Sequence, residues 1–448
     1  MDIAKPTHGA GEARVTADAS AGASAAASGR ASVVAITGLV CLAVSLGIGR
    51  FAFTPLLPMM LHDGTVNLAQ GGALATANYA GYLAGSLLGL VWRTDSSRAA
   101  RHALVLTVLL TVAMALPGSF ALWMTWRALA GMVSALVMIH ATAWCMQRLT
   151  ALGRPTWIGL MFCGTGIGIV LTGMPAFAMT AMGWSAREGW ALFAAVGAVL
   201  VAAIWRLLTP LPASAAARRG DASPAPWPAT QTIGLSAAYG LAGFGYIITA
   251  TFLPVIARQT MPGSVWADLF WPLFGIGVTI GAALVTRIGS PRDNWRLLAA
   301  LYLMQAAGVG SAAAWQSAFG LALSSVLVGL PFTALIALSM REAHHLAGPR
   351  APKLISLMTA LYALGQIAGP PLAAATVART GSFGGSLGIA AGALTVGGMI
   401  CLAMRRRKRG RASGVRVEGG IGQLDLLKDK AGVRGWLHTG RKCGEEAR

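Results

Sequence analysis

Long apolar runs, each closed by a short charged or Pro/Gly break, recur along the chain from Ser32 to Met404. An α-helix needs about 20 mostly apolar residues to cross the hydrocarbon core of a bilayer. The runs therefore predict membrane helices near residues 33–58, 70–92, 102–118, 120–147, 156–181, 188–208, 232–257, 266–286, 295–314, 318–340, 354–378 and 384–404. The longest hydrophilic break between them, residues 209–231, contains Pro210, Pro212, Arg218, Arg219, Pro224, Pro226 and Pro228 and divides the runs six and six. The expected fold class is an all-α polytopic membrane protein of 12 transmembrane helices. Its expected parts are a disordered tail at 1–31, a six-helix bundle at 32–208, a linker at 209–231, a second bundle at 232–404 and a basic tail at 405–448.

Composition agrees with that pattern. Of 448 residues 55% are hydrophobic and only 11% charged, whereas a soluble domain carries roughly a quarter. The five cysteines show no CxxC and four lie in apolar runs, which leaves no disulfide framework or zinc site to expect. Residues 1–31 form an Ala/Ser/Gly-rich tract with no early apolar core, and the first apolar run is too long for a signal peptide, so it reads as the first span.

The charge balance, 35 Lys and Arg against 15 Asp and Glu, raises nucleic-acid binding as a possibility. The basic residues, however, cluster in the breaks between apolar runs rather than on one solvated face. With both termini inside, the internal loops hold 14 Lys and Arg, and the external loops hold only Arg187, Arg258 and Arg379. Positive residues stay cytoplasmic, so this asymmetry predicts an inner-membrane protein with both termini in the cytoplasm. The Arg405–Arg409 run directly after the last span fits anionic lipid headgroups, and no nucleic-acid partner is expected.

The two halves are related. An offset of 196 residues, without a gap, aligns Gly38-Leu39 with Gly234-Leu235, and Gly47 and Gly49 with Gly243 and Gly245. It also aligns Leu57-Pro58 with Leu253-Pro254, and Gly81 and Gly85 with Gly277 and Gly281. Two six-span bundles in parallel orientation, related by a pseudo-twofold axis, are the arrangement of major facilitator transporters, which bind solute between the halves. The span-1 segment Gly47-Ile-Gly49-Arg50-Phe51-Ala-Phe53-Thr54-Pro55-Leu-Leu-Pro58 resembles a particular family within that superfamily. So do the span-2 segment Asn78-Tyr79-Ala-Gly81-Tyr82-Leu-Ala-Gly85 and Gly365-Gln366-Ile-Ala-Gly369-Pro370 of span 11. The resemblance is to the YbfB/YjiJ transporters and runs over residues 33–404. Span 4 carries Arg127, Gly131 and Ala135, similar to the superfamily's span-4 motif, with Ala130 in place of the usual Gln. The loop after span 2 departs from the superfamily pattern, because Asp95 follows Gly89 by six residues rather than four.

Charge inside the membrane is the remaining chemical signal. Lys or Arg at mid-depth costs at least about 2.5 kcal/mol and survives only where it faces the interior or snorkels. Arg50 and Arg127 both fall in the outer half of the N-terminal bundle. They either bond to carbonyls freed by nearby Gly and Pro, or present a guanidinium to a solute carboxylate or phosphate. Glu188, Asp268 and Glu342 lie only at span ends, so no mid-depth carboxylate awaits a cation, and an anionic or neutral solute is favoured. His140 and Asp268 are the candidates for proton coupling, with packing as the alternative for His140. Asn78, Tyr79, Tyr246, Gln305, Tyr362 and Gln366 need partners that lipid cannot supply and are candidate cavity lining. Gly81-x-x-x-Gly85, Gly277-x-x-x-Gly281 and Gly365-x-x-x-Gly369, with Gly47 and Gly49, are read as helix packing and gating.

The function expected is a secondary active transporter of a small organic solute, working by alternating access, ion- or proton-coupled, monomeric and without cofactor or metal. No GxxxxGK[ST] loop is present to bind ATP. A polytopic membrane enzyme is the alternative, disfavoured by the missing mid-depth acids, and a transport-dead membrane sensor is another.

Overall fold

The computed structural model describes residues 27–92, 94–210, 229–287 and 294–430. Most of the expected N-terminal tail and linker, and the end of the C-terminal tail, lie outside the described residues. No strand occurs among those that are described. Twelve long helices follow one another: α1 (Ala27–His62), α2 (Leu68–Val91), α3 (Ser96–Met114), α4 (Phe120–Ala151), α5 (Ile158–Ala181) and α6 (Ala186–Ile204). Then come α7 (Ala229–Thr260), α8 (Phe270–Arg287), α9 (Asn294–Ala314), α10 (Ala318–Ala347), α11 (Ala351–Thr380) and α12 (Gly384–Lys430). Ten of them are long and apolar enough, over their described residues, to cross a membrane.

Several boundaries differ from the sequence pattern for local reasons. Asp95 accepts from the N–H of Arg98 and starts α3 six residues earlier than its apolar run. The ends of α2 and α6 are set by reciprocal caps, Asn67 with Gln70 and Ser185 with Glu188, each worth about 1 kcal/mol. At the end of α11, Gly381 takes a left-handed conformation (φ 71°) that a side chain would disfavour. The expected basic tail begins as helix, because no proline interrupts the chain after Pro371 and α12 runs on to Lys430.

The two halves pack by the same rule. In the first, α2 lies against α4, where a side chain on Gly81 would strike the Ala128 carbonyl and one on Gly131 the Asn78 carbonyl. The counterpart in the second half is α8 against α10, with Gly281 against Leu330 and Gly329 against Phe274. Likewise α1 meets α5 through Gly47 and Gly168, as α7 meets α11 through Gly243 and Gly365. Small residues let backbones approach where lipid supplies no hydrophobic drive for association. Between the halves, α1 meets α7, α2 meets α11 and α5 meets α8.

Most hydrogen bonds between the halves lie in the part of the bundle remote from the start of α1 and Met404, and one, from the Cys163 thiol to the Thr279 carbonyl at 3.7 Å, joins α5 to α8 nearer the other end. Thr54 donates to the Ala250 carbonyl at 2.9 Å, and the Tyr79 and Thr251 hydroxyls lie 2.8 Å apart. At the distal end Arg258 pairs with Asp268 at 2.9 Å and also donates to Thr180 of the first half at 3.0 Å. Thr54 and Ala250 are separated by the repeat offset of 196, so that bond joins equivalent positions across the pseudo-twofold axis.

Candidate functional site

The site is built on an irregular stretch of α1. Residues Ala43–Phe51 are π-helical, a form that costs hydrogen-bond quality and is concentrated at functional positions. Pro55 has no N–H to offer the carbonyl of Arg50 five residues earlier. Arg127 of α4 takes over: its amino groups donate to the carbonyls of Gly49 and Arg50, both at 3.3 Å, and its guanidinium lies 4.7 Å from the Phe53 ring. Asn78 in turn donates to the Arg127 carbonyl at 3.0 Å. Arg127 and Asn78 therefore stitch α4, α1 and α2 together.

Arg50 is placed differently. It is only 5% exposed, yet its Nε and Nη2 are buried with no hydrogen-bond partner among the described residues. Its guanidinium carbon sits 4.6 Å from the Tyr82 ring, 4.9 Å from Tyr79 and 5.4 Å from Phe51, and it interacts electrostatically with Tyr246 and Tyr362. Aromatic faces offset part of the cost of burying a cation, but they leave its N–H groups unmet. Nε and Nη2 form one edge of the guanidinium, with two parallel N–H vectors.

The second half supplies the rest of the cage. Tyr239 and Tyr362 stack with ring centroids 4.7 Å apart, and Tyr246 and Tyr362 stack at 5.9 Å. Gln366, one turn after Tyr362, donates to the Tyr246 hydroxyl, while its Oε1 has no partner. Phe332 of α10 lies 4.8 Å from Tyr246 and 6.4 Å from Phe51, and Trp271 lies 5.9 Å from Phe51, so an aromatic layer joins the halves beside the cage. Four of the chain's six tyrosines thus lie about one arginine, with Tyr239 stacked on one of them, Tyr362.

Of the residues singled out in the sequence, Arg50, Arg127, Asn78, Tyr79, Tyr246, Tyr362 and Gln366 converge on this region. The others are placed elsewhere. His140 packs edge-on against Trp92 (6.3 Å) at the end of α2 and senses Asp95, with its Nε2 buried and unpartnered. Asp268 is held by Arg258 rather than by Arg50 or Arg127, and Glu188 is engaged in the cap of α6. Gln305 donates to the Val328 carbonyl between α9 and α10. Tyr82, Tyr239 and Phe332 were not among the sequence candidates. Helical spacing, Tyr82 three residues after Tyr79 and Tyr239 seven before Tyr246, was the available signal for two of them.

Residues 42–402 match the family model described as "Uncharacterised MFS-type transporter YbfB". Among solved structures, the crystal structure of a mutant of the nucleoside transporter NupG resembles the chain with a TM-score of 0.65. The two are 14% identical, and the match covers 83% of this chain and 99% of that one. At that identity the likeness is one of fold. None of the curated proteins matches the chain.

Proposed function

The chain belongs to the YbfB-type family of major facilitator transporters, and on that premise we propose that it carries small organic anions between its two halves, loading them at Arg50. Family and fold make it an integral membrane transporter, not an enzyme. The observation that supports an anionic solute is the buried, unpartnered Nε–Nη2 edge of Arg50. An unpaired buried charge is costly, and a bidentate carboxylate removes that cost with two charge-assisted hydrogen bonds. Among the described residues the only buried acids are Asp268 and Glu342. Each has a partner at a helix end, Arg258 and Asn294 respectively, so a cationic solute would meet no carboxylate beside the cage.

The mechanism follows from Tyr79, which touches both the charge and the contact between halves. Its ring covers Arg50, and its hydroxyl bonds Thr251 of the other half. A solute carboxylate on Arg50 neutralises the charge that Tyr79 covers, weakens that contact and so favours parting of the halves on the distal side. Opening there breaks three cross-half bonds, Thr54 to Ala250, Tyr79 to Thr251 and Arg258 to Thr180. With the termini cytoplasmic, as the loop charges argue, the side that carries these three bonds faces outwards. The carrier acts in the inner membrane as a monomer, its basic tail against anionic headgroups. Energy comes from an ion or proton gradient, with His140 and Asp268 as the titratable groups to test. Uptake of labelled carboxylates into vesicles holding the purified protein tests the reading. Saturable carboxylate flux is expected; flux of neutral analogues alone would contradict it.

A further inference from the structure

We infer that the solute held at Arg50 is an aromatic monocarboxylate, its carboxylate on the Nε–Nη2 edge and its ring among the tyrosines; this rests on Arg50 being the loading site. One edge accepts one carboxylate. The neighbouring guanidinium cannot serve a second, because the amino groups of Arg127 already hold the carbonyls of Gly49 and Arg50. A dicarboxylate would bring a charge with no partner into a buried place. The rings packed on Arg50 are those of Phe51, Tyr79 and Tyr82, and no ion pair to Arg50 occurs among the described residues. Among those residues no carboxylate is there to pair with the ammonium of an amino acid.

The cage also sets the direction of approach. Tyr79 and Tyr82 cover the guanidinium at 4.9 and 4.6 Å, so a ligand meets it edge-on. A conjugated aromatic acid keeps its ring in the plane of its carboxylate. Docked on that edge, it carries the ring forward between tyrosine faces rather than against them. On the far side the stacked Tyr239, Tyr362 and Tyr246 offer further faces, and Tyr82 and Tyr362 are the cage members that keep part of their surface accessible. A tetrahedral aliphatic body of the same size has no such flat fit.

Calorimetric titration of the purified full-length protein with benzoate, cyclohexanecarboxylate, terephthalate and benzamide tests this. Benzoate binds tightest, cyclohexanecarboxylate about five- to ten-fold more weakly, and terephthalate and benzamide bind without measurable heat. Arg50→Ala abolishes benzoate binding; Tyr82→Leu weakens it by a similar five- to ten-fold, whereas Tyr82→Phe, which keeps the ring, does not. Thermal unfolding of each variant identifies any that fails to fold, and Arg50→Lys, which keeps the charge but not the paired N–H edge, then stands in for Arg50→Ala and also loses affinity. Equal affinity for benzoate and cyclohexanecarboxylate, with both lost in the Arg50 variant, overturns the aromatic inference while leaving Arg50 as the loading site. Benzamide binding without benzoate binding, or benzoate binding unchanged by the Arg50 variants, overturns both. Absence of binding by all four probes overturns the aromatic inference.

Discussion

Two arginines that look alike in the sequence have separate tasks. Arg127 donates to the carbonyls of Gly49 and Arg50 beside Pro55 and the π-helical stretch, so Arg127→Ala removes both of these buried bonds. The expected loss is about 1–3 kcal/mol, seen as a lower melting temperature in detergent. Arg50→Ala removes a buried charge whose Nε and Nη2 hold no bond, so it folds at least as well as the parent and loses transport. The opposite pattern, an unstable Arg50 variant and a stable Arg127 variant, would reverse the assignment. His140 lies apart from the cage beside Trp92 and Asp95. If it carries a coupling proton, His140→Gln flattens the dependence of uptake on pH; an unchanged profile makes it a packing residue. The sequence identified both arginines by depth and offered carbonyls freed by Gly and Pro as partners, but could not say which arginine takes them, because that depends on how α4 packs against α1.

At the scale of elements, glycines separate by what lies opposite them. Side chains on Gly81 or Gly243 would collide with the carbonyls of Ala128 and Tyr362, whereas Gly388 and Gly392 of α12 face open space. Gly81→Ala and Gly243→Ala are therefore expected to cost about 1–3 kcal/mol, and Gly388→Ala and Gly392→Ala to be neutral or to stabilise by up to about 1 kcal/mol. Melting temperatures decide between them, and equal effects at all four positions would sink the packing account. Asp95 gives a contrasting surface case. Burial alone would raise its pKa, but hydrogen bonds from Ser97 and Arg98 and the Arg98 charge outweigh that and hold it low. The capping contribution is thus present above the ordinary carboxylate range and fades only as pH falls through the depressed value. Much of this level was legible: apolar runs located the helices, and the spaced glycines marked the close contacts. The π-helical segment, the early start of α3 and the helical continuation of α12 were not, since caps and backbone register act over one or two residues that hydropathy averages away.

The whole molecule is organised by its duplication. The 196-residue offset read from glycines reappears as a physical bond, Thr54 to Ala250, where α1 and α7 cross. The pairing of α1 with α5 and α2 with α4 is repeated by α7 with α11 and α8 with α10. α2 and α11 pack against each other across the halves, carrying Tyr79, Tyr82, Tyr362 and Gln366. What the sequence could not supply was the convergence of four tyrosines from three helices on one guanidinium, because that depends on how the halves meet. Arg258 is the clearest lever on that meeting, since it binds Asp268 in its own half and Thr180 in the other. Arg258→Ala is expected to raise labelling of cysteines placed along the distal side of the cleft; unaltered labelling would remove Arg258 from the closure. The central claim, an anion carried between the halves on Arg50, is tested most directly by counterflow of a labelled carboxylate in vesicles preloaded with the unlabelled solute. The parent protein should show saturable counterflow and the folded Arg50→Ala variant none, whereas equal counterflow by both would contradict the account.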